Sequence, residues 1–190
     1  MRQILLLLLV ACLPAWCLPD GVAELAARLS RRPSFECDFR QERSLPGMRT
    51  PLRSSGIFQL EPGRRALWNQ KIPVAQRILI RPDGMELVRP DGTSQKISSA
   101  TPIAGDLVRT LFALSQGDLQ GLSRNFEVSW LRSGRSDWSL RLLPRGALAK
   151  AVREIVLSGG DDLRKVRMTD GQGLPTLIEF GAPRALGARP

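Results

Sequence analysis

Apolar positions along this chain follow two spacings, and the switches between them mark its elements. After Pro19-Asp20-Gly21, the residues Val22, Leu25, Ala26 and Leu29 recur every three or four positions, with Glu24, Arg28 and Arg32 on other faces. That spacing predicts an amphipathic helix ending near Pro33 and lying across a sheet. From Phe35 the period becomes two. Phe35, Cys37 and Phe39 alternate with Glu36, Asp38 and Arg40, which predicts a half-buried strand. Further strands are expected over Gly56–Leu60, Ala66–Gln70, Gln76–Arg81 and Glu86–Arg89. Between them stand the breakers Glu61-Pro62-Gly63, Ile72-Pro73 and Pro82-Asp83-Gly84, and Pro90-Asp91-Gly92 turns the chain again. Short strands joined by Asp-Gly turns indicate an antiparallel meander.

The middle of the chain returns to helical spacing. Leu107, Val108, Leu111, Phe112 and Leu114, between Gly105 and Gly117, predict a second amphipathic helix, followed by a polar-apolar segment to Leu122. Strands resume over Phe126–Trp130, Trp138–Leu142, Val152–Leu157, Leu163–Met168 and Thr176–Phe180, each bounded by Gly, Pro, Asp or Ser. The tail 181–190, rich in Ala, Gly, Pro and Arg, is expected to be poorly ordered. A single sheet of about nine to eleven strands twists too strongly to stay flat, so it should curl into a barrel or part of one. The two helices would cover its open side or mouth. Such an enclosure holds either a packed core or a cavity, and periodicity alone favours the core.

The N-terminus carries a different signal. Met1-Arg2-Gln3 precedes an unbroken apolar run from Ile4 to Ala11, then Pro14 and small residues, the pattern of a secretory signal peptide over residues 1–17. The run is too short to cross a bilayer, which takes about 20 apolar residues. One domain over residues 18–180 is the expected mature body. Leu9-Val10-Ala11-Cys12 also matches a lipoprotein cleavage pattern that would leave Cys12 acylated, and mass spectrometry of the mature N-terminus separates the two outcomes. With cleavage near Leu18, Cys37 is the one cysteine left, so no internal disulfide forms. It reads as a small buried hydrophobe rather than a reactive thiol.

The formal charge of +10 favours anionic partners. Export directs that charge toward membrane surfaces or acidic proteins rather than nucleic acid. Nor do the basic pairs Arg31-Arg32 and Arg64-Arg65 carry the interleaved aromatics of a strand-binding groove. The chain contains no histidine, which removes the commonest general base, Ser-His-Asp and Cys-His arrangements, and imidazole metal ligands. Asp161-Asp162 reads as a solvated hairpin turn, and Gly171-Gln172-Gly173 lacks the following helix that a phosphate-binding loop needs. No catalytic residue, metal or cofactor is expected, and the alternative of an enzyme built on an unrecognised carboxylate pair has no visible support.

Several motifs occur in a familiar order. Phe35, Phe39 and Gln41 have the Phe-x-x-x-Phe-x-Gln spacing that follows the first helix in the LolA outer-membrane lipoprotein carrier family. Ser55-Gly56-Ile57-Phe58 is similar to that family's Ser-Gly strand opening, and Pro62-Gly63-Arg64, Trp68, Pro73 and Asp83-Gly84 resemble its further series. In the second half, Trp138–Pro144, Asp170-Gly171 and the final Thr176-x-Ile178-x-Phe180 resemble its closing hairpins. The resemblance implies a mainly β fold, an incomplete and strongly curved antiparallel barrel whose concave apolar face is covered by helices. It further implies a monomeric periplasmic carrier whose cavity holds the acyl chains of lipoproteins, loaded by an inner-membrane releasing transporter and unloaded to an outer-membrane receptor. On this basis cargo contact is assigned to Phe39, Phe58, Leu60, Trp68, Ile78, Ile80, Leu111, Phe112, Trp130, Leu140 and Leu142, each of which would otherwise be ordinary core. Two departures stand out. Glu61-Pro62 occupies the place of the family's Arg-Pro pair, whose arginine helps latch the lid, and Met85-Glu86-Leu87-Val88 lacks the aromatics common there. These departures leave room for a different cargo, such as an aryl-polyene or glycolipid, and acylation at Cys12 would instead make the chain a membrane-anchored receptor.

Overall fold

The computed structural model describes residues 19–82, 84–89, 91–96 and 118–187. The leader expected over 1–17 and the expected second helix, with Leu111 and Phe112, lie outside the described residues. Helix α1 spans Val22–Ser30. Strands β1 (Phe35–Arg43), β2 (Leu52–Glu61), β3 (Arg65–Ile72), β4 (Gln76–Arg81), β5 (Gly84–Val88) and β6 (Ser94–Lys96) follow. After a short helix α2 (Leu119–Asn125) come β7 (Phe126–Arg132), β8 (Trp138–Pro144), a one-turn helix α3 (Leu148–Ala151), β9 (Val152–Gly159), β10 (Leu163–Asp170), β11 (Pro175–Phe180) and β12 (Arg184–Ala185).

All twelve strands belong to one antiparallel sheet with the order β6-β5-β4-β3-β2-β1-β11-β10-β9-β8-β7, and β12 pairs with β1. The expected meander is therefore two meanders, β1–β6 and β7–β11, joined where β1 meets β11 with Phe39 opposite Phe180. The sheet does not close on itself among the described residues: β6 and β7 are its two ends. It is an incomplete, curved barrel, the form that strand twist imposes on so many strands.

Period-two alternation puts one apolar face inside. Across neighbouring strands Leu60, Ala66, Ile80 and Met85 fall in one row, and Ile178, Val166, Leu157 and Leu140 in another. These residues are buried in one contiguous cluster, to which α1 adds Val22, Leu25 and Ala26. At about 25 cal/mol per Å2 of apolar surface removed from water, such one-sided burial is the main force holding sheet and helix together.

Polar contacts fix where α1 sits. Arg28 donates to the carbonyls of Arg135 (2.9 Å) and Gly160 (3.3 Å), and Arg32 donates to Asp161 O (3.1 Å) and pairs with the Asp162 carboxylate (2.7 Å). Asp161-Asp162 is thus the β9–β10 turn anticipated from sequence, with the added job of anchoring the helix. Trp138, fully buried, donates its indole N–H to Gly160 O at 2.7 Å and holds the same turn from the sheet side.

Four features differ from expectation. β2 begins at Leu52 rather than Gly56, because its first residues pair with Arg43 and Glu42 through the main chain although Leu52 and Arg53 are exposed. β6 was not anticipated, since Ser94, Gln95 and Lys96 are all exposed and carry no apolar signal. Two short helices, α2 and α3, interrupt the region read as strands and connections. The tail is tied down at its start: Arg184–Ala185 pairs with Phe35–Glu36, and Arg184 binds Glu36 and Asp38.

Gly56 marks a close approach of backbones. It lies at a bulge between β2 and β3, and a Cβ there would stand 2.0 Å from the Asn69 carbonyl oxygen. Gly56→Ala should therefore lower stability by about 2 kcal/mol and the thermal midpoint by about 4–8 °C, read by circular dichroism. An unchanged midpoint would contradict this packing.

Candidate functional site

Five aromatic rings converge on the concave face near the β1–β11 seam. Phe39 and Trp68 lie with ring centroids 3.7 Å apart, although β2 runs between their strands. They can meet because the β2 residue opposite Phe39 is Gly56, which has no side chain to separate them. Phe58 contacts Trp68, Phe180 and Phe35 at centroid distances of 6.2, 5.6 and 6.4 Å, within the range of favourable ring pairs.

Beside this cluster, at the end of the barrel where α1 terminates, an apolar cavity opens. Leu29, Phe35, Cys37, Phe58, Leu60, Leu163 and Phe180 form its walls, and Arg32, Asp162, Gly181 and Pro183 form its rim. The opening follows from the chain path. β11 stops at Phe180 opposite Phe39, the Gly181 N–H still donates to the Asp38 carbonyl at 2.8 Å, and residues 182–183 leave the ladder before β12 rejoins β1 at Glu36. The cavity encloses about 60 Å3. At about 10–15 Å3 per water-sized probe, that is room for the end of a hydrocarbon chain and not for a whole one.

Electrostatics separate the rim from the interior. Glu36 accepts from the Gln59 amide at 2.9 Å and from Arg184 at 2.9 Å, and these bonds, the Gln59 one first, hold its carboxyl below the usual range. The Arg184 guanidinium, which also reaches Asp38 at 3.0 Å, is correspondingly raised. Inside, burial pushes the Cys37 thiol up to about 12, so it stays protonated and behaves as a small hydrophobe. Among the described residues no group of three or more Cys, Asp or Glu side chains is placed to hold a metal ion.

The residues assigned from sequence divide into groups. Phe58 and Leu60 line the cavity, and Phe39 and Trp68 stack behind Phe58. Ile78, Ile80, Leu140 and Leu142 share the buried face farther around the sheet. Trp130 is half-buried and belongs to a second, more polar cleft of about 200 Å3, where it donates to Asp20 O at 2.8 Å beside Arg28 and Arg135. Leu29, Phe35, Cys37, Leu163 and Phe180 were not assigned; the alternation that buries them was visible, but not that they gather at one strand end. Glu61, which stands where the family has arginine, is buried and takes hydrogen bonds and ion pairs from Arg65 (2.5 Å) and Arg64 (3.4 Å). Those arginines are spent closing the β2–β3 turn.

Two outcomes follow. Iodoacetamide at pH 8 should leave Cys37 unmodified in the folded protein and modify it fully after denaturation, read by peptide mass; rapid native labelling would contradict its burial. Because the folded-state pKa of Glu36 lies below its unfolded value, its clamp on β12 is fully present above the ordinary carboxylate range and is lost as pH falls through the lower folded value. Amide exchange at Arg184–Ala185, corrected for its intrinsic pH dependence, should therefore accelerate only in acid, and protection that stays constant until the whole fold unfolds in acid would contradict the clamp.

The comparisons with known proteins agree with this geometry. A structure described as a LolA superfamily protein from Nitrosomonas europaea superposes with a TM-score of 0.52 at 11% identity, covering 91% of this chain and 96% of that one. MucB superposes with a TM-score of 0.50 at 17% identity over 90% of this chain, which spans 61% of MucB. At these identities the likeness is one of fold. No curated protein matches the chain. Among the described residues no helix is long and apolar enough to cross a membrane. The family model described as "Outer membrane lipoprotein carrier protein LolA-like" matches residues 20–188, nearly the whole body of the sheet and its helix, and the chain belongs to that LolA-like family.

Proposed function

We propose that this protein is a non-enzymatic periplasmic carrier, exported by its 1–17 leader, that shields acyl chains of lipoproteins while they pass from the inner to the outer membrane. The observation that carries this reading is the apolar cavity under the end of α1, walled by Phe35, Phe58, Leu60, Leu163 and Phe180 and open beside Gly181 and Pro183. Each methylene it removes from water contributes about 0.8 kcal/mol, so the end of one chain already gives useful affinity. A longer segment requires the hollow to widen. The contacts that seat α1 are few, and those of Arg28 and Arg32 lie at its edge, so the helix is the element that yields. Phe39, Trp68, Ile78, Ile80, Leu140 and Leu142 then become the deeper lining, with Leu111 and Phe112 from the cover. An inner-membrane releasing transporter and an outer-membrane receptor are the partners this role requires.

A second reading keeps the fold and changes the cargo to another lipid-like product, an aryl-polyene or glycolipid. Glu61 favours it, because the acid and its two bound arginines replace the arginine expected to latch the lid.

Leu163→Trp, at the half-buried edge of the cavity, should fill space for about two methylenes and weaken uptake of a fluorescent fatty acyl probe about tenfold, with the circular dichroism spectrum unchanged. Equal uptake by the folded variant, or none by the wild type, would count against the carrier reading.

A further inference from the structure

The end of the barrel opposite the cavity carries a surface that the carrier reading does not use. Among the described residues five large hydrophobic side chains stand exposed, and four of them are here: Met48 (52%), Leu52 (41%), Ile72 (61%) and Val74 (69%). They sit on two neighbouring hairpin tips, the β1–β2 loop and the β3–β4 turn. Pairing of β2 with β3 puts Ser55 opposite Ile72, so the tips stand side by side on adjacent strands. Leu52 lies three residues past that rung, about 10 Å at the strand rise, and Val74 also projects beyond it.

Charge surrounds these tips in a definite pattern. Arg43, Arg49 and Arg53 flank the first and Lys71 and Arg77 the second, against Glu42 in the same segments, which Arg53 engages at 2.9 Å, while Asp91 and Asp170 on the adjoining β5–β6 and β10–β11 turns bond the backbone of their own turns. The backbone suits dehydration as well. Pro46, Pro51 and Pro73 offer no N–H to strand without a partner, and the Gln70 amide donates to the Val74 carbonyl at 3.0 Å, satisfying it from within.

We propose that this rim docks on an anionic lipid bilayer, with Met48, Leu52, Ile72 and Val74 entering the interfacial layer and Arg43, Arg49, Lys71 and Arg77 meeting lipid phosphates. A protein partner would call for an aromatic or arginine anchor seated in a packed patch. Here aliphatic and Met tips project separately with cations set behind them, the arrangement by which peripheral segments combine shallow apolar insertion with attraction to anionic headgroups. The proposal does not depend on the cargo, and because the cavity opens at the other end, docking and cavity occupancy are independent.

Flotation of the full chain with vesicles of phosphatidylcholine alone, and of phosphatidylcholine mixed with phosphatidylglycerol, tests it. The wild type should float with the mixed vesicles and only weakly with the neutral ones. Ile72→Ser/Val74→Ser and, separately, Arg49→Glu/Lys71→Glu should each lower binding to mixed vesicles about tenfold, with unchanged circular dichroism and unchanged acyl probe uptake. Leu131→Ser, at the far edge of the sheet, and Leu163→Trp should float like the wild type. The proposal is overturned if either rim variant floats like the wild type, if neutral and mixed vesicles bind equally, or if binding requires an added acidic protein. Loss with the charge variant alone would also overturn it, because the chain's general basicity would then suffice.

Discussion

The constraint on which this structure depends is that a twelve-stranded antiparallel sheet has one apolar face and must hide it. Twist bends such a sheet, and bending turns the apolar face inward. The seam between β1 and β11 is where two local meanders become one surface, so the aromatic cluster around Phe39, Phe58, Trp68 and Phe180 lies where the fold is least local. Helix α1 then covers part of the concavity with its own buried residues, and a few arginine contacts set its position.

The same constraint produces the site. A closed barrel has no sheet edge left to finish, whereas an incomplete one leaves its ends to be finished by other means. At the α1 end they are finished imperfectly: β11 breaks at Phe180, β12 resumes three positions farther along β1, and the gap becomes the mouth of the cavity. Around it charges pair with one another, Arg32 with Asp162 and Arg184 with Glu36 and Asp38, while the walls stay free of charge. A hollow with an ionic rim and an apolar wall has the polarity that the tail of an amphiphile requires.

Much of this was legible in the residues, for physical reasons. Strands with one buried face announce themselves by alternation, so β1, β4 and β9 to β11 were evident, as was the helix from Val22 to Leu29. Elements held by main-chain hydrogen bonds alone were not: β6 is wholly exposed, Leu52 and Arg53 begin β2 without burial, and β12 is secured by an arginine from a stretch whose composition suggested disorder. The buried face was legible as a face, but the cavity is a place along that face. Locating it requires the register between strands distant in sequence, which alternation does not encode. Trp130 shows the cost: its spacing matched the lining residues, yet it stands in the polar cleft by α1.

If the concave face is a hollow that accepts hydrocarbon and not a core already complete, hydrocarbon should travel with the protein. The decisive experiment purifies the native protein from its own cells, extracts it with organic solvent and measures the extract by lipid mass spectrometry. Acylated species should be recovered in near-stoichiometric amounts and be displaced when Leu163→Trp fills the cavity. Protein recovered folded and free of any acylated or lipid-like molecule would contradict a hollow that accepts hydrocarbon.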